Sequence, residues 1–124
     1  MGFSDYLCEK LLDYAFSSTL YAGLATTAGD PDGSAVSEPW ANGYARVQCV
    51  ASTWAAATAN AKTNADAVQF PEATGAWGTI SSIVFYGTAT AGDYFGAYAL
   101  ATAVAVVSDQ IVKFAAGDID VTLS

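Results

Sequence analysis

The hydrophobic period changes several times along the chain. Leu7, Leu11 and Ala15 recur at i, i+4 spacing with Leu12 alongside, Ser4 stands where a helix N-cap belongs, and Asp5 stands at the helix's positive end. This spacing predicts one amphipathic helix over residues 5–16. Thr19-Leu20-Tyr21-Ala22-Gly23-Leu24 then reads as a strand, and Ala28 to Ser34 gathers Gly, Asp and Pro into an exposed loop running on to Pro39. From Tyr44 the period is two, with Ala45, Val47, Cys49 and Ala51 on one face and Tyr44, Arg46, Gln48 and Val50 on the other. Residues 55–66 mix Ala, which favours helix, with Thr and Asn, which favour strands and turns, and are expected to be extended.

Further on, Val68-Gln69-Phe70 stops at Pro71, Glu72 to Gly75 makes a turn, and Trp77 to Tyr86 reads as a long buried strand. Ala97, Ala99, Ala101, Ala103 and Ala105 alternate with Tyr98, Leu100, Val104 and Val106, which suits a strand lying close against a neighbour on its small face. A turn at Ala115-Ala116-Gly117 introduces Ile119, Val121 and Leu123 on one face, opposite Asp118, Asp120 and Thr122. Short strands between turn clusters, with one helix at the start, predict a mainly β fold. The expected architecture is an antiparallel β-sandwich or barrel-like domain over about 19–124 with a short N-terminal α-helix. At 124 residues a single domain, 1–124, is expected. Its predicted core holds Leu7, Leu11, Leu12, Val47, Ile80, Ile83, Phe85, Ile119, Val121 and Leu123.

Composition adds that the chain should fold, being 53% hydrophobic and only 13% charged. Four Lys or Arg stand against twelve Asp or Glu, a net charge of -8 spread along the chain, so it repels phosphate backbones and nucleic acid is not an expected partner. The longest apolar run, Ala97 to Val107, is broken by Thr102 and is shorter than the roughly 20 residues of a membrane helix. Asp5, Glu9, Lys10 and Asp13 interrupt the apolar residues of the N-terminus, which lacks the order of a signal peptide. The chain is therefore expected to be made in the cytoplasm and to stay there or leave by lysis. Cys8 and Cys49 match no metal or redox spacing and are expected as buried thiols.

Catalytic chemistry finds little to work with. The chain has no His, which removes the usual general base and the commonest transition-metal ligand. Asp118 and Asp120 would lie about 7 Å apart on one strand face, but nothing supplies the desolvated partner that acid catalysis needs, and a solvated face explains them better. Asp30, Asp32 and Glu38 could hold Ca²⁺, yet Gly33 is misplaced and the bidentate Glu is missing from its proper offset, so an ordinary turn is the better reading. Trp40, Trp54 and Trp77 could form a sugar platform, although Trp residues in a small β domain belong more often to a core or interface. No enzyme activity, metal or cofactor is expected.

Five segments carry a resemblance to a known family: Ser4 to Phe16, Leu20 to Thr27, Gly43 to Val47, Phe70 to Ile80 and Phe114 to Leu123. In this order they resemble a family of small structural proteins of tailed bacteriophages, described variously as tail-fibre-like or as capsid decoration proteins. The sequence departs from the usual pattern at Trp40 and Asn42, and in the Ala of 55–67 and 97–105. The resemblance implies a virion structural protein made in the host cytoplasm. No heptad or repeat suits a fibre shaft, and an acidic domain suits the outside of a DNA-filled shell. A capsid decoration, or cement, protein bound to the major capsid protein is therefore expected, with a tail fibre or baseplate component as the alternative and a host-glycan binding module below it. With 26 Ala and 7 Tyr, a small core cannot hide all of the apolar surface, so a homotrimer is expected. The candidate interface residues are Tyr6, Tyr14, Asp30, Pro31, Asp32, Gly33 and Trp40.

Overall fold

The computed structural model describes residues 4–27, 34, 36–58 and 61–122. In chain order its elements are α1 (Asp5–Ala15), β1 (Leu20–Ala25), β2 (Val47–Cys49), a 3₁₀ turn (Ala51–Thr53), β3 (Ala61–Thr63), β4 (Val68–Gln69), β5 (Gly78–Tyr86), β6 (Tyr94–Val106), β7 (Lys113–Phe114) and β8 (Asp120–Thr122). The fold is mainly β, with antiparallel pairing and an N-terminal helix, as the periodicity predicts, and among the described residues no sheet closes into a barrel. The described residues pack as two compact units, one drawn from 1–19, 49–68 and 114–124, the other from 20–48 and 69–113.

The smaller unit carries α1. The Ser4 hydroxyl accepts the Leu7 N–H at 3.2 Å, and Asp5 occupies the first turn, so the helix start follows the sequence signal. It ends at Ala15 because Phe16 leaves helical geometry and sets its ring edge-on to Trp54, centroids 4.6 Å apart. Cys8 and Leu12 are buried, but Leu7 and Leu11, expected in the core, are exposed. Rotation of the helix decides this. Asp13 Oδ1 accepts from Lys62 Nζ at 2.6 Å and from the Ala57 N–H at 2.9 Å. At about 100° per residue, this anchor turns the Cys8 and Leu12 side inward and the Leu7 and Leu11 side outward.

Extended structure within 55–66 appears as β3, which pairs with β8 in the register Lys62↔Val121, with isolated bridges Trp54↔Asn64 and Thr58↔Ala61 before and around it. Asn64 is the hub here. Its Nδ2 donates to the carbonyls of Asp66 and Ala115, its Oδ1 accepts the Ile119 N–H, and its own carbonyl accepts the Gly117 N–H. The turn bends at Gly117, φ 86, where a side chain would be strained. Ile119 is buried as expected, Val121 is only half-buried because it ends up opposite Lys62 on a two-stranded sheet, and Leu123 lies outside the described residues.

The larger unit holds the sheet β2-β1-β5-β6. β1 pairs with β5 through Gly23↔Val84 and Leu24↔Ile83, and β5 pairs with β6 through Ile83↔Tyr98 and Val84↔Ala97. Ile80, Ile83 and Phe85 are buried as predicted. β2 is shorter than the alternation from Tyr44 suggests: Asn42 (φ 55) and Gly43 (φ 83) turn the chain so that Tyr44 points inward, and Val47 is only half-buried. β6 also differs from expectation, since Ala97, Ala99, Ala103 and Ala105 are exposed and lie against no neighbour's face among the described residues. Two register shifts against β5, between Ile80 and Ser82 and between Phe85 and Tyr86, let thirteen residues of β6 run beside nine of β5.

Candidate functional site

On one face of the larger unit's sheet, the segment 36–46 folds back over β1. Its neck is closed by a Thr27↔Ser37 bridge, the Thr26 N–H donating to Ser37 at 2.9 Å and the Ser37 N–H to Thr27 at 3.1 Å. Below the neck, Glu38 and Arg46 form an ion pair with side chains only 3% exposed. Arg46 Nη2 donates to Glu38 Oε1 at 2.7 Å and Nε to Oε2 at 3.0 Å, the two-point geometry that suits guanidinium and carboxylate. Arg46 Nη1 donates to the carbonyls of Thr88 at 3.0 Å and Ala91 at 2.9 Å, gripping the loop between β5 and β6. The guanidinium lies 3.7 Å from the Tyr86 ring centroid and 5.0 Å from that of Trp40.

Tyr44 completes the cluster. Its hydroxyl donates to Glu38 Oε2 at 2.5 Å and accepts the Leu24 N–H at 2.8 Å. Burial, reinforced by the neighbouring carboxylate, pushes the phenol far above its ordinary range, so it stays neutral. Burial likewise raises Tyr86 and Tyr94. The Tyr44 ring stands edge-on between Trp40 and Trp77, centroids 5.2 and 5.3 Å away. Trp77 Nε1 donates to the Asn42 carbonyl at 3.0 Å, and Asn42 Nδ2 to the Ala76 carbonyl at 2.8 Å, which ties the turn at 42–43 to the segment before β5.

Gly23 makes room for this arrangement. A Cβ there would lie 2.6 Å from Glu38 Oε2 and 2.7 Å from the Tyr44 hydroxyl, closer than atoms can approach. Gly23→Ala is therefore expected to lower stability by about 1–3 kcal/mol, read as a shift in the urea midpoint. A change below a few tenths of a kcal/mol would show that the cluster can retreat from the sheet.

Chemically the cluster is saturated. Both Glu38 oxygens are engaged, and Arg46 is used on the carboxylate and on two carbonyls, so neither group is free to bind substrate or metal. Glu38 thus does not belong with Asp30 and Asp32 as a cation ligand. Asp118 Oδ2 accepts the Ala115 N–H at 3.0 Å and stabilises a turn. Trp54 and Trp77 are buried while Trp40 is exposed, so the three indoles form no exposed platform. Of the candidate interface residues, Tyr6 and Tyr14 are exposed on α1 and Trp40 is exposed beside Arg46, while Asp30, Pro31, Asp32 and Gly33 lie outside the described residues.

A second ion pair, Lys62 with Asp13, fastens α1 to β3 in the smaller unit. The Lys62 hydrogen bond, then that from the Ala57 N–H, holds the Asp13 carboxyl below its usual range. A depressed carboxylate pKa stabilises the fold above the unfolded value and loses that contribution as pH falls through the folded one. Asp13→Asn is expected to cost up to about 1 kcal/mol at pH 7, because the carboxylate is half-exposed and screened by solvent, and to flatten the loss of stability below pH ~4. Equal pH dependence in both proteins would contradict the anchor.

A saturated internal ion pair on a mainly β scaffold is a structural feature, and comparison with known families assigns the chain to the structural proteins of the bacteriophage particle. The chain belongs to the family described as podophage GP4 fiber I protein gp80, whose model matches residues 2–122. No curated protein matches it.

Proposed function

We propose that this protein is a non-enzymatic decoration, or cement, protein that binds the outer surface of the phage head as a homotrimer and stabilises the shell. The observation that carries this reading is the distribution of charge. Arg46 and Lys62 are both consumed by internal ion pairs, which leaves Lys10 and Lys113 as the exposed cations. Asp5, Asp66, Glu72, Asp93, Asp109, Asp118 and Asp120 are exposed. Such a surface is repelled by packaged DNA and is at ease on the outside of a shell. The contact chemistry lies in its uncharged patches, among them Tyr6, Tyr14 and Trp40.

The family's description carries the word fiber, which supports a second reading, a fibre or tail component. Particles assembled without the protein discriminate the two. Purified protein added back is expected to bind the heads saturably and to raise the temperature at which they release DNA. Binding restricted to the tail, with head stability unchanged, overturns the decoration reading.

A further inference from the structure

We propose that Asn42–Gly43 is a deamidation site, at which the Asn42 side-chain amide is lost as ammonia to leave a carboxylate, and that the fold restrains this reaction by holding both reacting groups. The turn calls for this pair of residues. The Tyr44 N–H donates to the Ala41 carbonyl at 3.1 Å, and the two residues between them have φ 55 and φ 83. This is the type I′ arrangement, which Asn followed by Gly adopts at least steric cost. The same pair is chemically labile, because a glycine has no side chain to shield its amide nitrogen from the preceding side-chain carbonyl. Asn42 and Gly43 are both exposed, so water reaches them.

In the reaction the Gly43 backbone nitrogen attacks Asn42 Cγ, the Cγ–Nδ2 bond breaks, and ammonia leaves with the proton that the nitrogen gives up. A five-membered imide results. Water then adds to one of its two carbonyls and reopens the ring, giving an aspartyl link or an isoaspartyl link that routes the backbone through Cβ. Water enters and ammonia leaves, with no change of oxidation state. The fold holds both partners away from this step. Asn42 Nδ2 donates to the Ala76 carbonyl at 2.8 Å, and the amide lies against Gly75, where a Cβ would come within 2.7 Å of Cγ and 2.9 Å of Nδ2. The peptide to Gly43 is pinned through the Asn42 carbonyl, which accepts the Thr74 N–H at 2.9 Å and Trp77 Nε1 at 3.0 Å. Ring closure therefore waits on the turn lifting from residues 74–77, and its rate follows that opening. The product does not restore the lock, because a carboxylate has no N–H to give the Ala76 carbonyl and sets oxygen against oxygen. The modified turn is thus untied from the segment before β5.

The full chain, kept in mildly alkaline buffer and then digested for mass spectrometry, tests this. The wild type is expected to gain about one dalton at Asn42, slowly when folded and much faster in urea. Gly75→Ala, whose methyl group displaces the Asn42 amide from Ala76, is expected to speed the folded reaction by about tenfold, the effect of one lost hydrogen bond on the opening equilibrium. The Asn42→Asp chain, which carries the product's carboxylate, is expected to melt below the wild type. No gain at Asn42 under any of these conditions overturns the site. Equal rates in folded wild type and folded Gly75→Ala, or in folded and urea-unfolded wild type, overturn the restraint. Should Gly75→Ala misfold, the comparison of folded with urea-unfolded wild type decides. An unchanged melt of Asn42→Asp overturns the untying of the turn.

Discussion

Replacing Arg46 by Ala is expected to destabilise the protein by about 3–5 kcal/mol, the largest effect of any surface-proximal charge. The reason is what the substitution leaves behind. Glu38 would remain nine-tenths or more buried with the Tyr44 hydroxyl as its side-chain partner, and the Thr88 and Ala91 carbonyls would lose their donor. An unpaired buried carboxylate is far costlier than the pair is stabilising, because most of the ion pair's attraction offsets desolvation. The double change Glu38→Gln with Arg46→Met should therefore recover a large part of the loss. Urea unfolding of the three variants measures this. If Arg46→Ala alone costs less than about 1 kcal/mol, water reaches the cluster freely and its buried character is wrong.

Ile83→Ala is expected to cost about 2–5 kcal/mol, and Leu11→Ala much less. Ile83 sits at the centre of the larger unit's sheet, opposite Leu24 on β1 and Tyr98 on β6, with no exposed surface. Truncation there leaves a cavity walled on both sides by paired strands. Leu11 faces outward, so in the dissociated chain its loss removes little buried area. Thermal melts at a concentration where the protein is monomeric compare the two. Equal shifts would mean that α1 is rotated from the orientation set by Asp13 and Lys62.

That pair also explains how far the sequence alone can go. The existence and start of α1 are legible because Ser4, Asp5 and the i, i+4 leucines are local signals. Its rotation is not, because Lys62 acts on Asp13 from 49 positions away. β5 is legible as a continuous apolar run, and the turn at Gly117 from its glycine. β7 has only two residues, too few for any period to show.

The Glu38–Tyr44–Arg46 cluster left weaker traces. Arg46 interrupts an otherwise uncharged alternation, and Gly23 stands inside a strand, where glycine often marks a close approach. Neither signal names its partner, since Glu38 reaches Arg46 across a turn that only the positive φ of Asn42 and Gly43 creates. Glu38 stands near Asp30 and Asp32 in the sequence, but its carboxylate is taken up by Arg46 and Tyr44. The candidate interface was legible only in part. Aromatic residues on a short amphipathic helix mark Tyr6 and Tyr14 as docking candidates, but which side of the helix is open depends on the distant lysine.

The most direct test of the central claim is the location and number of copies on intact particles, by gold-labelled antibody and quantitative gel. Hundreds of copies spread over the head are the result expected of a decoration protein. A few copies confined to the tail would contradict it and assign the chain to a fibre or baseplate.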